Sequence, residues 1–409
     1  MQPLGLAVLA GLTPPDVDVA FVDDRLSDID FDAATDLVAI TVETFTAQRG
    51  YEIAGAFRQR QVPVVLGGLH ATLLPDEAAQ HADCIVTGDA EAVWNSLLDD
   101  ARCGRLRPRY DGGPALPLSG VMPRRAIFEG LRYLPLQLAQ FSRGCRNCCR
   151  YCAVSVAAQR QHRCRPVAEV VAEIEQQQLS RIFFIDDNIV ADPVAARQLF
   201  AALAPLKIRW ISQASLELVE DRELLRLMAR SGCVGNVIGF ESIDPRNLEW
   251  MDKRHNARGF DRYQGAIAAL RDHGLQTWAA FTVGHEHDTA DLIKRTVEFA
   301  IDAKFALAAF NLLMPYPGTA LYRELAEEGR LLFDGHWWRH PDYRYDQAAF
   351  VPGQMSADEL TAMCAWASRQ FYSTGSIVRR AFDFKTTLSD PFRLAMYVLY
   401  NIVCKRAAG

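Results

Sequence analysis

The densest group of chemically active side chains is the stretch CRNCCRYC, which places four of the chain's ten cysteines within eight positions. Cys145, Cys149 and Cys152 are spaced C-x3-C-x2-C. A structural zinc site needs four ligands, usually as two separated pairs, and no matching Cys or His pair follows downstream. Three thiolates suit a cubane iron–sulfur cluster, because each holds one iron and the fourth iron stays open. An open iron can bind and reduce a cofactor or substrate, so the spacing indicates catalysis.

Cys148 is surplus to this set and has two interpretations. It directly precedes Cys149, and one turn of chain rarely aims two neighbouring side chains at the same cluster. We therefore predict that the Cys148 thiol packs away from the cluster. The alternative is a thiol that faces a substrate and holds a soft atom. Ligation by Cys148 in place of Cys149 would break the C-x3-C spacing.

The composition is that of an ordinary soluble protein from a reducing compartment. The 409 residues carry a net charge of −6 and are 50% hydrophobic and 23% charged, so nothing indicates a nucleic-acid partner. The sequence shows no signal-peptide pattern, and no apolar run reaches the ~18 residues of a membrane-spanning helix. We predict a cytoplasmic protein, in which clustered cysteines act as metal ligands or catalytic groups. The six scattered cysteines are predicted to pack inertly.

Alternating strand and helix signals surround the cysteines and must position them. Predicted strands cover 135–144, 181–188, 208–215, 236–242, 276–284 and 307–319. Predicted helices cover 166–178, 193–203, 221–231, 259–273 and 289–302. Six such units predict an α/β fold with a partial (β/α)6 barrel, and the cysteine loop follows its first strand.

A second strand–helix alternation fills the first 110 residues and predicts a Rossmann-like, doubly wound parallel sheet. Predicted strands cover 17–24, 36–43, 63–68 and 83–89, with a helix at 48–61. Ligands of such sheets bind at the carboxyl ends of the strands. Gly67, Gly68 and His70 fall at one of these ends, and Gly88 to Glu91 fall at another. A tight strand-to-helix turn is the alternative interpretation of the GGLH stretch.

These patterns divide the chain into a Rossmann-like domain (1–110), a Pro-, Gly- and Arg-rich linker (111–134), a barrel (135–330) and a C-terminal helical region (331–409). The segment 390–406 is apolar on nearly every face, yet too short to span a bilayer. We predict a core helix there. Docking on a membrane surface is the alternative.

The cysteine spacing resembles the signature of the radical S-adenosylmethionine (SAM) superfamily, which lies on the loop after the first barrel strand. Arg143 and Gly144 match the residues that often introduce the first cysteine, and Tyr151 matches the aromatic residue before the third. The resemblance implies a [4Fe–4S] cluster whose open iron is chelated by SAM. One electron from the cluster then cleaves SAM to methionine and a 5′-deoxyadenosyl radical. A flavodoxin- or ferredoxin-type reductant is implied as a partner.

More of the chain is similar to a narrower class, in which a cobalamin-binding-type domain precedes the barrel. The matching stretches are 62–78, 163–174, 183–190, 239–248 and 315–322. Members of this class act in hopanoid, bacteriochlorophyll and antibiotic biosynthesis, so the resemblance implies cobalamin as a further cofactor.

The sequence departs from this class in two respects. The D-x-H-x-x-G motif, which supplies a histidine ligand to cobalt in one large cobalamin class, is absent, although several radical members bind cobalamin without it. The PLGLAVLA helix stands at the start of this sequence, whereas a strand precedes it in relatives. Either the start of the sequence is assigned too late, or the expected sheet lacks its first, central strand, which would weaken the crevice for cobalamin.

The resemblance also assigns roles to single residues. Those implied to contact SAM are Tyr151, Asp186, Asp187, Gln213, Glu241 and Ser242. The two aspartates would accept from the methionine ammonium, with capping of a helix start as the alternative. The later residues would face the ribose, with a polar ring that satisfies strand ends as the alternative. Those assigned to cobalamin are Gly67, Gly68 and His70.

Three functions follow, in order of preference. The first is a cobalamin-dependent radical SAM methyltransferase that acts on an unactivated carbon of a small-molecule or lipid-like substrate in secondary or lipid metabolism. The second is a radical SAM enzyme that forms a ring, rearranges its substrate or transfers a 3-amino-3-carboxypropyl group. The third is a non-catalytic iron–sulfur electron carrier or sensor, which would not need polar groups at the ends of the barrel strands.

Overall fold

The computed structural model describes residues 1–113, 118, 120–253, 256–257 and 263–408. The strands are β1 (Val38–Thr41), β2 (Val64–Gly67), β3 (Cys84–Thr87), β4 (Arg109–Asp111), β5 (Gln137–Ala139), β6 (Ser142–Arg143), β7 (Arg163–Cys164), β8 (Arg181–Phe184), β9 (Arg209–Ala214), β10 (Cys233–Glu241), β11 (Gln276–Val283) and β12 (Leu307–Leu312).

The described α-helices before the fourth barrel strand are α1 (Leu4–Leu12), α2 (Ala47–Gln59), α3 (Leu69–Leu73), α4 (Pro75–Ala78), α5 (Trp94–Arg102), α6 (Ala153–Ala157), α7 (Val167–Gln176), α8 (Pro193–Leu203) and α9 (Arg222–Arg230). The described α-helices after it are α10 (Pro245–Trp250), α11 (Tyr263–Asp272), α12 (Ala290–Asp302), α13 (Ala320–Glu327), α14 (Ala357–Phe371), α15 (Thr374–Ala381) and α16 (Pro391–Ala408).

The larger sheet contains six parallel strands in the order β12-β11-β10-β9-β8-β5. Aromatic side chains pack between the sheet and its helices; Trp210 of β9, for example, lies 5.5 Å from Phe184 of β8 and 5.3 Å from Phe200 of α8 between ring centroids. This arrangement confirms the predicted partial (β/α)6 barrel. The start of the predicted helix 259–273 lies outside the described residues, and α11 is its described part.

The smaller sheet is parallel with the order β1-β2-β3-β4, as expected for the N-terminal domain. The strand predicted at 17–24 is wrong, because these residues are irregular. This segment packs instead through Phe21 on Phe128, with ring centroids 5.2 Å apart, and through the Asp23 carboxylate, 2.7 Å from the Tyr133 hydroxyl. A strand is stabilised by pairing, and within the described residues no strand pairs with the outer edge of β1. The fourth strand, β4, was not predicted.

The two domains face each other through the carboxyl ends of their strands. Helix α3, which follows β2, packs against α6, which follows the cysteine loop. Gly318 lies between them, close to the side chains of Leu73 and Val156. Trp338, from the irregular segment ahead of α14, donates to the Glu77 carboxylate at 3.0 Å. The C-terminal region therefore also fastens the N-terminal domain to the barrel.

The C-terminal helix α16 buries a polar face and exposes an apolar one. Tyr397 and Asn401 are buried, and the Asn401 amide oxygen accepts from the fully buried Arg380 at 2.9 Å. The opposite face exposes Val398, Leu399, Ile402 and Val403 by 43–55%. The predicted core helix is therefore wrong for that face, because the buried face meets the protein through hydrogen bonds of Asn401 to Arg380 and to the carbonyl oxygen of Ala306, just before β12. None of the described helices has the length and apolarity that a bilayer crossing needs.

Replacing Asn401 by Ala should lower the free energy of unfolding by about 1–3 kcal/mol, because buried Arg380 would lose an acceptor. Urea denaturation followed by circular dichroism measures this change. Leu399→Ala, on the exposed face of the same helix, is the matched control and should change the free energy by less than about 0.5 kcal/mol. Equal losses in both variants would contradict the orientation of α16.

Candidate active site

The cysteine loop runs from Gly144 to Cys152, between β6 and α6. Gly144 has a φ of +85°, and a Cβ at this position would collide with the Gln161 carbonyl oxygen, so the entry to the loop requires glycine. Cys145, Cys149 and Cys152 are half-buried and line one cavity of about 210 Å³. The loop therefore directs three thiols to one space, as the spacing predicts.

Cys148 is exposed and does not line this cavity. Its position agrees with the interpretation that the surplus thiol points away from the other three.

Burial opposes ionisation of two of the three thiols. Burial raises the pKa of Cys149 to about 12, against a lowering by the charge of Lys253, and burial also raises the pKa of Cys145. Thiols bind metal only as thiolates, so metal binding must release protons here. The described residues contain no group of three or more His, Cys, Asp or Glu side chains placed to hold a single ion. A cubane does not require such a group, because each thiolate binds a different iron.

Asp186 supports the chain that leads into the cysteine loop. It is fully buried, and its oxygens accept from the backbone N–H of Phe141 at 3.1 Å, from the backbone N–H of Ser142 and from the Ser142 hydroxyl at 2.5 Å. Burial raises the pKa of this carboxyl to about 7. Asp186 does not line the cavity, and both of its oxygens accept from these loop donors, so the structure does not bring it to the place predicted for the SAM ammonium.

Asp187 lies at the wall of the cavity and accepts from the Gly144 N–H at 2.7 Å. Helix capping, the alternative interpretation for both aspartates, is wrong because Asp192 caps α8 through the backbone N–H groups of Val194 and Ala195. Asp187 therefore both steadies the loop and presents a carboxylate to the cavity.

Glu241 ends β10 in a left-handed conformation, with a φ of +65°, where the register against β11 shifts. Such a conformation costs a non-glycine residue about 1–3 kcal/mol and is retained where the surroundings enforce it. Here the Glu241 oxygens meet Lys253 Nζ at 2.5 Å and the Thr282 hydroxyl at 2.6 Å. Burial opposes ionisation of Glu241, but Lys253 and Thr282 lower its pKa overall. The cavity therefore contains a buried ion pair.

Sequence reasoning missed Lys253, although it lines the cavity beside the cysteines. It follows α10 in an irregular stretch with no motif around it. Asn188 and Ser215 also line the cavity and were missed. They interact with each other, since the Asn188 amide oxygen accepts from the Ser215 N–H at 3.1 Å.

Of the other residues assigned to SAM, Tyr151 and Gln213 line the cavity and Ser242 does not. The Ser242 hydroxyl accepts from the Asp244 N–H at 3.1 Å, which holds the turn before α10. This position agrees with the alternative interpretation for Ser242, a polar group that satisfies a strand end.

The residues assigned to cobalamin have structural roles. Gly68 has a φ of +96°, and a Cβ there would come within 2.8 Å of the Thr41 hydroxyl. His70 is fully buried, with Nε2 2.8 Å from the Tyr51 hydroxyl and 3.2 Å from a Glu77 oxygen. The His70 ring therefore lies in the domain core, and the structure does not bring it to the crevice. Gly67 and Gly68 form the tight turn of the alternative interpretation.

Comparison with known proteins decides the family. The Radical SAM superfamily matches residues 139–300. Bacteriochlorophyllide d C-8(2)-methyltransferase of Chlorobaculum tepidum is 31% identical over 355 residues, which cover 81% of this chain and 77% of that protein. The chain belongs to the radical SAM superfamily. It is therefore an enzyme that uses SAM and a [4Fe–4S] cluster, which confirms the expectation from the cysteine spacing.

Two further relatives of this radical SAM enzyme cover more of its length. Bacteriochlorophyllide d C-12(1)-methyltransferase of Chlorobaculum tepidum is 29% identical and covers 93% of this chain and 84% of its own. The anaerobic magnesium-protoporphyrin IX monomethyl ester cyclase of Rubrivivax gelatinosus is 25% identical and covers 93% of this chain and 75% of its own.

Solved structures share the fold. The methyltransferase TsrM from Kitasatospora setae, with tryptophan and a SAM analogue bound, has a TM-score of 0.59 at 19% identity and covers 73% of this chain and 66% of its own. The cobalamin-dependent radical enzyme OxsB, with aqua-cobalamin and SAM bound, has a TM-score of 0.64 at 13% identity and covers 92% and 64%. The radical SAM enzyme described here spans just under two thirds of the length of these two structures.

Replacing Cys145, Cys149 or Cys152 by Ala should abolish the broad cluster absorbance near ~400 nm and the bound iron, because a cubane needs three protein thiolates here. Cys148→Ala should retain both. Iron content and absorbance after anaerobic reconstitution give the answer. Loss of iron from Cys148→Ala as complete as that from Cys149→Ala would overturn the assignment.

Glu241→Gln should weaken SAM binding about 10- to 100-fold, since a charge-assisted hydrogen bond contributes about 1.5–3 kcal/mol. The iron content should stay unchanged, because Glu241 is not a cysteine-loop ligand. Asp244→Asn is the matched control: it neutralises a nearby carboxylate that caps α10 and pairs with the exposed Arg246 outside the cavity. Equal affinities of the reconstituted Glu241→Gln variant and the wild type in a SAM titration would remove Glu241 from the site.

Proposed function

We propose that this enzyme is a cobalamin-dependent radical SAM methyltransferase that acts on an unactivated carbon of a small molecule. The observation that carries the proposal is that the carboxyl ends of the strands in the two sheets face each other. Helix α3 packs against α6 directly behind the cysteine loop. Ligands of parallel sheets bind at the carboxyl ends of the strands. A cofactor held by the N-terminal sheet would therefore lie beside the cluster.

The chain's own residues would bind and orient the reactants. Cys145, Cys149 and Cys152 would hold the cluster, and Gln213, Glu241 and Tyr151 would contact SAM from the barrel strands and the loop. Asp187 would accept from the SAM ammonium while it steadies Gly144. When bound, SAM would supply the radical and cobalamin the methyl group, while the protein places both in one cavity and excludes water.

For cobalamin, the described residues offer an edge of a sheet, and the histidine that follows β2 is turned away from it. His70 is locked in the core, and D-x-H-x-x-G is absent from the sequence. Beyond the end of β1, Glu43 and Phe45 lie on the side that faces the barrel, and burial raises the pKa of the Glu43 carboxyl. We infer binding without a protein ligand to cobalt, on the crevice side of the N-terminal sheet.

The substrate we propose is a large, planar and mostly apolar molecule of tetrapyrrole type. An aromatic wall stands at the crevice: the Phe45 ring is 5.7 Å from Tyr316 and 5.0 Å from Tyr345 between centroids. Tyr316 lies two residues before Gly318, which is close to Val156 of α6, the helix after the cysteine loop, so the wall is near that loop. Tyr345 is 69% exposed and free to cover a flat ligand. The two Chlorobaculum relatives are named as methyltransferases of bacteriochlorophyllide d, which is a tetrapyrrole.

Ring formation is the second candidate, favoured by the match to the magnesium-protoporphyrin ester cyclase over nearly the whole chain. In either case we propose a cytoplasmic enzyme reduced by a flavodoxin- or ferredoxin-type protein. The free state of the ten cysteines fits a reducing compartment.

The decisive experiment is anaerobic reconstitution of the chain with iron, sulfide and hydroxocobalamin, followed by SAM with a deuterated methyl group and a reductant. A methyltransferase should retain cobalamin, form 5′-deoxyadenosine and carry the label on the extracted cobalamin. A cyclase should form 5′-deoxyadenosine without moving the label. Cys149→Ala is the control, since it should keep cobalamin and form no 5′-deoxyadenosine. A wild-type chain that retains the cluster but no cobalamin would exclude the methyltransferase.

A further inference from the structure

The N-terminal domain holds the residue that introduces the cysteine loop. Arg143 lies two residues before Cys145, and its guanidinium donates to Asp89 at 2.7 Å and to Glu91 at 2.8 Å. Both carboxylates belong to the segment after β3, in the other domain. Gln140 adds a third acceptor at 3.0 Å. The three acceptors fix the planar fork of the guanidinium in one orientation.

Asp89 also contacts β7, the strand that pairs with β6. Its second oxygen lies 2.6 Å from Arg163 Nη2, and Arg143 and Arg163 are cross-strand partners in the β6–β7 hairpin. One carboxylate of the N-terminal domain therefore ties both strands of this hairpin. Each strand has only two residues, so backbone pairing alone gives the hairpin little stability.

The group is well shielded from solvent. The side chains of Arg143, Asp89 and Arg163 are exposed by 25%, 13% and 14%. The two carboxylates balance the two guanidinium groups, so removing one carboxylate would leave a buried positive charge without its partner. Loss of one member of such a set is far more disruptive than loss of a surface pair.

The barrel supports the same stretch of chain from the other side. Asp186 holds the backbone of Ser142, and Asp187 holds the N–H of Gly144. Arg143 stands between these two and directs its side chain to the other domain. The start of the loop is thus fixed by carboxylates from both domains at three consecutive residues.

We infer that Asp89 and Glu91 are positioning residues for the cluster, through which docking of the N-terminal domain orders the cysteine loop. This inference rests on the proposed role of the three cysteines as cluster ligands. It assigns the N-terminal domain a second task besides holding a cofactor: only the docked arrangement presents the three thiols together.

Hydrogen exchange of the full-length chain without metal tests the inference independently of activity. In Asp89→Asn, Glu91→Gln and the double variant, amides of residues 142–152 should exchange at least about tenfold faster than in the wild type. Peptides from β9 and β10 should keep their protection. Asp24→Asn is the matched control, because it removes a two-bonded pair with Arg49 at the surface of the same domain. Asp89→Glu, which keeps the carboxylate, should recover part of the protection.

Two outcomes of the exchange experiment would overturn the inference. The first is unchanged exchange of 142–152 in the double variant. The second is equal acceleration across both domains, since the carboxylates would then stabilise the whole fold rather than the loop.

The reconstituted proteins supply a second readout. The double variant should retain less iron than the wild type, and its remaining cluster should show an altered electron paramagnetic resonance spectrum on addition of SAM. An unaltered spectrum with full iron content would also overturn the inference. If the wild type itself holds no cluster, the proposed function fails, while the exchange result still decides whether the two carboxylates order the loop.

Discussion

The buried carboxylate of Asp186 is the interaction on which the rest of the site depends. A loop that must present three thiols to one cavity cannot form regular structure, so its backbone donors need partners from elsewhere. Asp186 supplies them at Phe141 and Ser142, and Asp187 continues the series at Gly144. The end of β8 is therefore used mainly to hold the chain before the cysteines. This explains why two adjacent aspartates stand there and why only Asp187 reaches the cavity.

The need to hold groups at the cavity also shapes the end of β10. Glu241 adopts a left-handed conformation at the end of β10, and Gly239 leaves the space that its carboxylate and Lys253 occupy. The ion pair places a charge of each sign beside the cysteines without a net charge. A cavity built in this way can accept the ammonium and carboxylate of an amino-acid ligand while the surrounding core stays apolar.

The contact between the domains extends this arrangement beyond the barrel. Arg143 joins the cysteine loop to Asp89 and Glu91, and Trp338 joins the C-terminal region to Glu77. The crevice between the strand ends is thus closed on several sides by polar contacts with defined geometry. Radical chemistry benefits from such closure, because a reactive intermediate must be kept from water and from the wrong substrate atom.

The sequence by itself determined the parts that local patterns encode. The strand–helix alternation predicted the barrel because the spacing of apolar residues within each segment is enough to identify that segment as a strand or a helix. The C-x3-C-x2-C spacing identified the loop because its three residues lie close along the chain. Gln213 and Glu241 were assigned to the site by the family resemblance, and both line the cavity because parallel strands end at the same edge of a sheet.

The tertiary structure decided everything that depends on distant neighbours. The segment 17–24 has the composition of a strand but no strand beside it, and pairing requires one. His70 and Asp186 have polar side chains that suggest ligands, yet their partners Tyr51 and Ser142 come from other elements and bury them. The apolar face of α16 points outward because Arg380 and Asn401 need each other. Lys253 reaches the cysteines from about 100 positions away in the chain, and no local signal marks it. Contacts of this kind arise only when the chain is folded, because their energy belongs to pairs of residues and not to either residue alone.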